Sequence, residues 1–244
     1  MKTKQFLAVV ALIAFGFISM SFTTDAPKSR VVEEGGTGPY KAIMKEEASL
    51  KAHTIFVPQD LSAFGKKKQL PVLVWGNGAC NNSPFEHYLF LNEIASYGYI
   101  VVATGFYPEE GERYRGPMST TEQQIESIDW VIAQNSDKNS PYYQKIDVKN
   151  IAVAGMSCGG LQTLYNCADP RIKTLMICNS GLFNQSNAGS AVGGMPMPPK
   201  EKLNEIGKRN FIPKVSVKVF MHATMKAIGH STCKIIVRGG LFVV

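Results

Sequence analysis

The chain is poor in the residues that build metal and redox centres. Its four histidines (His53, His87, His222, His230) never fall in an H-E-x-x-H spacing, and its five cysteines (Cys80, Cys158, Cys167, Cys178, Cys233) never form a C-x-x-C pair. Zinc and thioredoxin-like readings are therefore weak, and no metal or cofactor is expected. Acid is missing from the C-terminal part. No Asp follows Asp169 and no Glu follows Glu205, whereas seven basic residues do, equal in number to the net charge of +7. Those residues (Lys208, Arg209, Lys214, Lys218, Lys226, Lys234, Arg238) are scattered through apparent strand and turn segments. That is not the clustered footprint of a nucleic-acid-binding face, and no nucleic-acid partner is expected. There is no internal repeat and no low-complexity linker, and only one long apolar run, at the N-terminus. A multi-spanning membrane protein is excluded on that ground.

That single run reads as an address. Lys2 and Lys4 precede an uncharged, mostly apolar stretch from Phe6 to Phe22, with polar residues from Thr23. This is the order of a secretory signal, which places the protein outside the cytoplasm as a secreted or periplasmic product. The 17 residues of the run sit at the lower edge of what spans a bilayer, so an uncleaved anchor is the alternative. With residues 1–25 assigned to the signal, residues 26–244 form one expected domain, of which 206–244 is atypical. With 45% apolar and 18% charged residues over 244 positions, there is material for one full core.

Along that domain, apolar strand-like runs alternate with helical patterns. Strands are expected at Tyr40–Met44, Ala52–Pro58, Leu70–Trp75, Tyr99–Thr104, Ile151–Ala154 and Ile172–Cys178. Helices are expected at Pro84–Tyr97, which Gly98 ends, from a capping box at Ser119-Thr-Thr-Glu122 to about Asn135, and at Gly160–Ala168. The alternation implies an α/β domain with a mostly parallel sheet covered on both faces, and ligands at the carboxyl ends of its strands. By that rule His53, in the second strand, lies far from the site, and His87, on the first helix, is exposed.

The most informative segment is Ile151-Ala-Val-Ala-Gly-Met-Ser-Cys-Gly-Gly160. A strand runs into Gly155-x-Ser157-x-Gly159 and then into a helix, the order a nucleophile elbow requires. A serine so placed attacks a carbonyl carbon, and the resulting oxyanion needs fixed backbone donors. One donor would be the N–H of Cys158. The other would come from Asn77 or Gly78, in the Gly76–Asn82 segment after the Leu70–Trp75 strand. Cys80 and Cys158 would then flank one small space, close enough that a disulfide between them is a hypothesis. The plain alternative is a pair of glycine-rich turns. Tyr107, Tyr114, Met156 and the Gly193–Pro199 loop are candidates for an apolar groove.

Two stretches, Leu70–Gly105 and Ala152–Phe183, resemble the secreted α/β-hydrolase group of dienelactone-hydrolase-like, chlorophyllase-like and polyester-degrading cutinase-like esterases. The matching residues are Val-Leu-Val-Trp-Gly-Asn-Gly-Ala-Cys, Glu-Ile-Ala-Ser-Tyr-Gly-Tyr-Ile-Val-Val-Ala-Thr-Gly, Gly-Met-Ser-Cys-Gly-Gly-Leu-Gln and Asn-Ser-Gly-Leu-Phe. The resemblance implies a Ser–acid–His triad in that chain order, no cofactor and a small-molecule or polymeric ester substrate. It puts Ser157 on the nucleophile, and Asn77 and Cys158 on the oxyanion positions. The histidine falls on His230, in Ala227-Ile-Gly-His-Ser, in preference to His222. The acid is not evident. Only Glu201 and Glu205 remain after Asp169, both in a short helical pattern, so the strand and loop that should carry the acid, and the closing helix, look absent. Glu205 is the weak remaining candidate. A non-catalytic or weakly active remnant of such a hydrolase is therefore the alternative reading.

Overall fold

A computed structural model of the protein describes residues 26–111, 114, 116–180, 191–192, 195–196, 198, 201, 204, 233–237 and 240–243. Eleven strands and three α-helices occur among these residues: β1 (Ser29–Val31), β2 (Ala42–Lys45), β3 (His53–Pro58), β4 (Leu70–Gly76), α1 (Tyr88–Ser96), β5 (Ile100–Thr104), α2 (Glu122–Ser136), β6 (Ile146–Met156), α3 (Cys158–Tyr165), β7 (Ile172–Cys178), β8 (Ala191–Val192), β9 (Met195–Pro196), β10 (Cys233–Val237) and β11 (Gly240–Val243).

Nine strands form one sheet in the order β1-β2-β3-β5-β4-β6-β7-β10-β11, and β8 and β9 pair as a separate small hairpin. The middle four, β5, β4, β6 and β7, run parallel. Antiparallel strands extend the sheet on both sides. Their sequences explain the division. Leu70–Trp75 of β4, Ile100–Ala103 of β5 and Ile151–Ala154 of β6 are apolar throughout because both faces of the sheet are covered there, as buried parallel strands must be, whereas the first half of β6 carries Asp147, Lys149 and Asn150 at its amino end.

Alternation decides which face each side chain meets. Val72 and Val74 of β4 join Ile100 and Val102 of β5 and Ile151 and Val153 of β6 in one core, with Ile128 and Val131 of α2. Leu73 and Trp75 join Val101, Ala103 and Ala154 in the second core, beneath Leu91 and Ala95 of α1. The sheet is thus sandwiched between helices, and the loops leaving the ends of β4, β5, β6 and β7 open on one edge.

Element boundaries differ from expectation where local chemistry competes. The first helix starts at Tyr88, not Pro84, after a turn in which the His87 N–H donates to the Pro84 carbonyl (2.9 Å). Ser119 does not cap α2. Its hydroxyl and N–H both donate to the Cys80 carbonyl, and Gln123 Oε1 accepts the Thr120 N–H at 2.8 Å instead. His53 also departs from its expected place. Because β3 runs antiparallel to β5, His53 pairs with Thr104 at the carboxyl end of β5, on the edge where the site lies. It is buried, and its two ring nitrogens each lie 2.8 Å from a carbonyl oxygen, those of Lys51 and Gln123. It ties β3 to the start of α2.

Candidate active site

Strand β6 ends at Met156 and α3 begins at Cys158, which leaves Ser157 alone in the turn with φ 50° and ψ −114°. That conformation is rare for a residue with a Cβ, and persists only where its surroundings over-determine it. Three contacts do so. The Ser157 N–H donates to the Cys178 carbonyl at the end of β7 (2.9 Å), its carbonyl accepts the Ser180 hydroxyl (2.6 Å), and the same carbonyl starts α3 by accepting the Leu161 N–H (3.2 Å). The flanking glycines are needed for closeness. A Cβ on Gly155 would overlap the Gly159 backbone, and one on Gly159 would overlap the Gly76 carbonyl. Ser157 itself is half-buried.

The loop after β4 is fastened to this elbow. The Gly159 N–H donates to the Asn77 carbonyl (3.0 Å). The Asn77 side chain is buried and donates to the carbonyls of Thr104 (2.7 Å) and Asn81 (2.9 Å), which fixes the loop to the end of β5. A short 3-10 turn, Gly78–Cys80, follows, with Ala79 at φ 52° and Cys80 at φ 49°. Cys80 and Cys158 form a disulfide with Cα atoms 5.1 Å apart. The Asn77 loop thus lies against the elbow that carries Ser157 and Cys158. Cys167 and Cys178 are buried.

His87 also departs from its expected place. It is buried, not exposed, because the chain turns inward just before α1. Its ring packs on Trp75 (centroids 5.1 Å apart), and its Nε2 lies 2.9 Å from Sδ of Met156, next to Ser157. Burial holds its pKa down to about 4, so the ring is neutral at neutral pH. Its Nδ1 and the Nε1 of Trp75 are buried without a protein hydrogen-bond partner. One helical turn gives no sign of this in sequence; a histidine amid Phe85, Tyr88 and Phe90 was the only clue. Nearby, Arg30 lies over the rings of Tyr88 and Tyr107, Phe106 stacks on Tyr114, and Met118 is exposed.

His230, His222 and Glu205 lie outside the described residues, as do the N-terminal segment 1–25 and most of the Gly193–Pro199 loop. Among the described residues no cluster of three or more His, Cys, Asp or Glu could hold a metal ion, and no helix is long and apolar enough to cross a membrane.

A strand–serine–helix elbow at the carboxyl edge of a parallel sheet, with a second backbone loop fixed beside it, narrows the field of relatives. Residues 81–188 match the family model of PET hydrolase-like proteins. The matched segment runs from the loop after β4 through the elbow and past the end of β7, so it contains Ser157 and Cys158 but neither Asn77 nor His230. No curated protein matches the chain. The central parallel strands, the crossover helices and the PET hydrolase-like segment together make this an α/β-hydrolase fold.

Proposed function

We propose that the protein is a secreted serine hydrolase of carboxylic esters that works through an acyl-enzyme on Ser157. The observation that carries this reading is the backbone of Ser157, held at φ 50° and ψ −114° between β6 and α3. A strained serine at the mouth of a parallel sheet has no packing purpose, and strain of this kind concentrates at working sites. The likeness of residues 81–188 to PET hydrolase-like proteins supports an ester as substrate, small or polymeric.

In this mechanism His230 takes the hydroxyl proton of Ser157 as the oxygen attacks the ester carbonyl. The oxyanion is held by the N–H of Cys158 and by that of Asn77 or Gly78. His230 then returns the proton to the leaving alcohol, and water releases the acyl group by the same steps in reverse order of partners. The first turn of α3 adds its positive end to the oxyanion site. No metal or cofactor enters the chemistry. An acid would hold His230 in the correct tautomer. The sequence offers only Glu201 and Glu205 beyond Asp169, and removing the acid from a comparable triad lowers turnover by about 10⁴ without ending catalysis.

The acid-poor C-terminal part is what favours the second reading, a hydrolase-like protein with little or no turnover. Hydrolysis of p-nitrophenyl butyrate by the purified protein separates the two. The proposal expects turnover that falls at least 100-fold in Ser157→Ala, while a folded protein with no turnover above buffer supports the second reading.

A further inference from the structure

We propose that the Cys80–Cys158 disulfide is a positioning element for the oxyanion donors, not merely a staple of the fold. The inference rests on the reading of Ser157 as nucleophile and goes beyond it by assigning a role to a bond that the chemistry does not consume.

The argument starts from where the sheet stops. β4 and β6 are paired as far as Gly76 and Gly155. Up to that point the ladder fixes their relative position. Everything that a substrate oxygen would meet lies beyond it, in Asn77–Cys80 on one side and Ser157–Cys158 on the other. Both segments are held in backbone conformations that side chains with a Cβ avoid: Ala79 at φ 52°, Cys80 at φ 49° and Ser157 at φ 50°. Without restraint such residues relax toward ordinary φ values and carry their peptide N–H groups with them.

Hydrogen bonds restrain each of these turns. Asn77 O accepts from Gly159 (3.0 Å), and Cys80 O accepts from the Ser119 N–H (2.8 Å) and hydroxyl (3.1 Å). Ser119 is in turn tied to α3 by Gln162, whose Nε2 donates to the Ser119 carbonyl at 3.0 Å and lies 3.2 Å from its hydroxyl. The turn is thus pinned at its first and last residues, and the Gly78 carbonyl accepts the Asn81 N–H (2.9 Å). Among the described residues the disulfide is the only covalent link between the two segments, and it is buried at both ends. It joins the last residue of one donor segment to Cys158, the last residue of the other and the first of α3. Its effect is to fix the separation of the two donor sets at the spacing one oxygen requires, which is the preorganisation that makes such donors effective.

The test uses the inactivation kinetics of a fluorophosphonate ester on the full mature chain, wild type against Cys80→Ala/Cys158→Ala, at a temperature where thermal melting shows both folded. Phosphonylation of Ser157 forms the P–O bond and expels fluoride through a pentacoordinate transition state whose phosphoryl oxygen gains negative charge in the oxyanion site, so its rate constant reads the donors while the concentration dependence reads binding. The expected result is a limiting inactivation rate about 10- to 100-fold lower in the variant with half-saturation unchanged within twofold, the scale of loss that misplacement by about an ångström brings. Equal limiting rates in the two proteins, or a change confined to half-saturation, would overturn the inference. Should the double variant not be recovered folded, Cys158→Ala, which puts the best helix former in the first turn of α3, carries the same prediction. A wild-type protein that does not react at all overturns the Ser157 reading, and with it the donors to be positioned; a wild type that reacts normally while the variant keeps pace sinks only the role given to the disulfide.

Discussion

At the scale of single residues, two positions show how closely conformation and chemistry are joined. Gly159 lies where a methyl group would overlap the Gly76 carbonyl, and backbone cannot swing aside as a side chain can. Gly159→Ala should therefore cost about 1–3 kcal/mol in stability, read by denaturant unfolding, and should displace the loop after β4 as well. His87 has a different signature. Its pKa is about 4 in the folded protein because burial disfavours the charged ring, against an ordinary value of 6.5 when unfolded. Between those values the unfolded chain binds the extra proton, so His87 lowers stability as pH falls from about 6.5 toward 4, and costs nothing above that window. The full effect is on the order of 3 kcal/mol. Thermal melts at pH 7.5 and pH 4.5 should show a larger loss for the wild type than for His87→Gln. Parallel losses would mean that the ring is not desolvated as the structure has it. At the reacting centre, Ser157→Ala, His230→Ala and the double variant should all hydrolyse p-nitrophenyl butyrate at the same residual rate, because groups that act as one unit are not additive.

At the scale of elements, the unit that matters is β6, the elbow and α3, closed against the loop after β4. The disulfide spans 78 residues of chain, and closing a loop of that length removes enough unfolded-state freedom to be worth about 4 kcal/mol. Differential scanning calorimetry of Cys80→Ala/Cys158→Ala should show a melting temperature lower by about 10 °C. This unit was readable in the sequence because it is built from local signals: an apolar β-branched run, glycines at fixed offsets, and a helical pattern immediately after. β7 was legible to the residue for the same reason. What could not be read were features set by distant partners. Ser119 carries a good capping signature, yet its hydroxyl serves Cys80 and Gln162, a competition decided only once the strands assemble. His53 falls at the end of the sheet opposite to that expected because strand direction is a property of topology, not of a strand's own residues. β1 is three residues long, too short for alternation to register. His87 hid because burial at a helix start depends on what the preceding turn faces.

At the scale of the whole molecule, the two signs of charge are unevenly distributed along the chain. All 19 acidic residues of this sequence lie at or before Glu205, so within it the acid for the proposed His230 base comes from Glu201, from Glu205 or from earlier in the chain. The N-terminal run makes its own prediction: expression of the full chain in an exporting host should give a product whose N-terminus, read by Edman degradation, lies near Asp25, whereas a product that begins at Met1 and sediments with membranes would mark an uncleaved anchor. The account as a whole depends on Ser157 being a reactive nucleophile. Peptide mass spectrometry after treatment with a fluorophosphonate tests this most directly. A phosphonyl adduct on the peptide that contains Ser157, absent in Ser157→Ala, is the predicted result. Folded protein that carries no adduct, or carries it on another residue, would contradict the account.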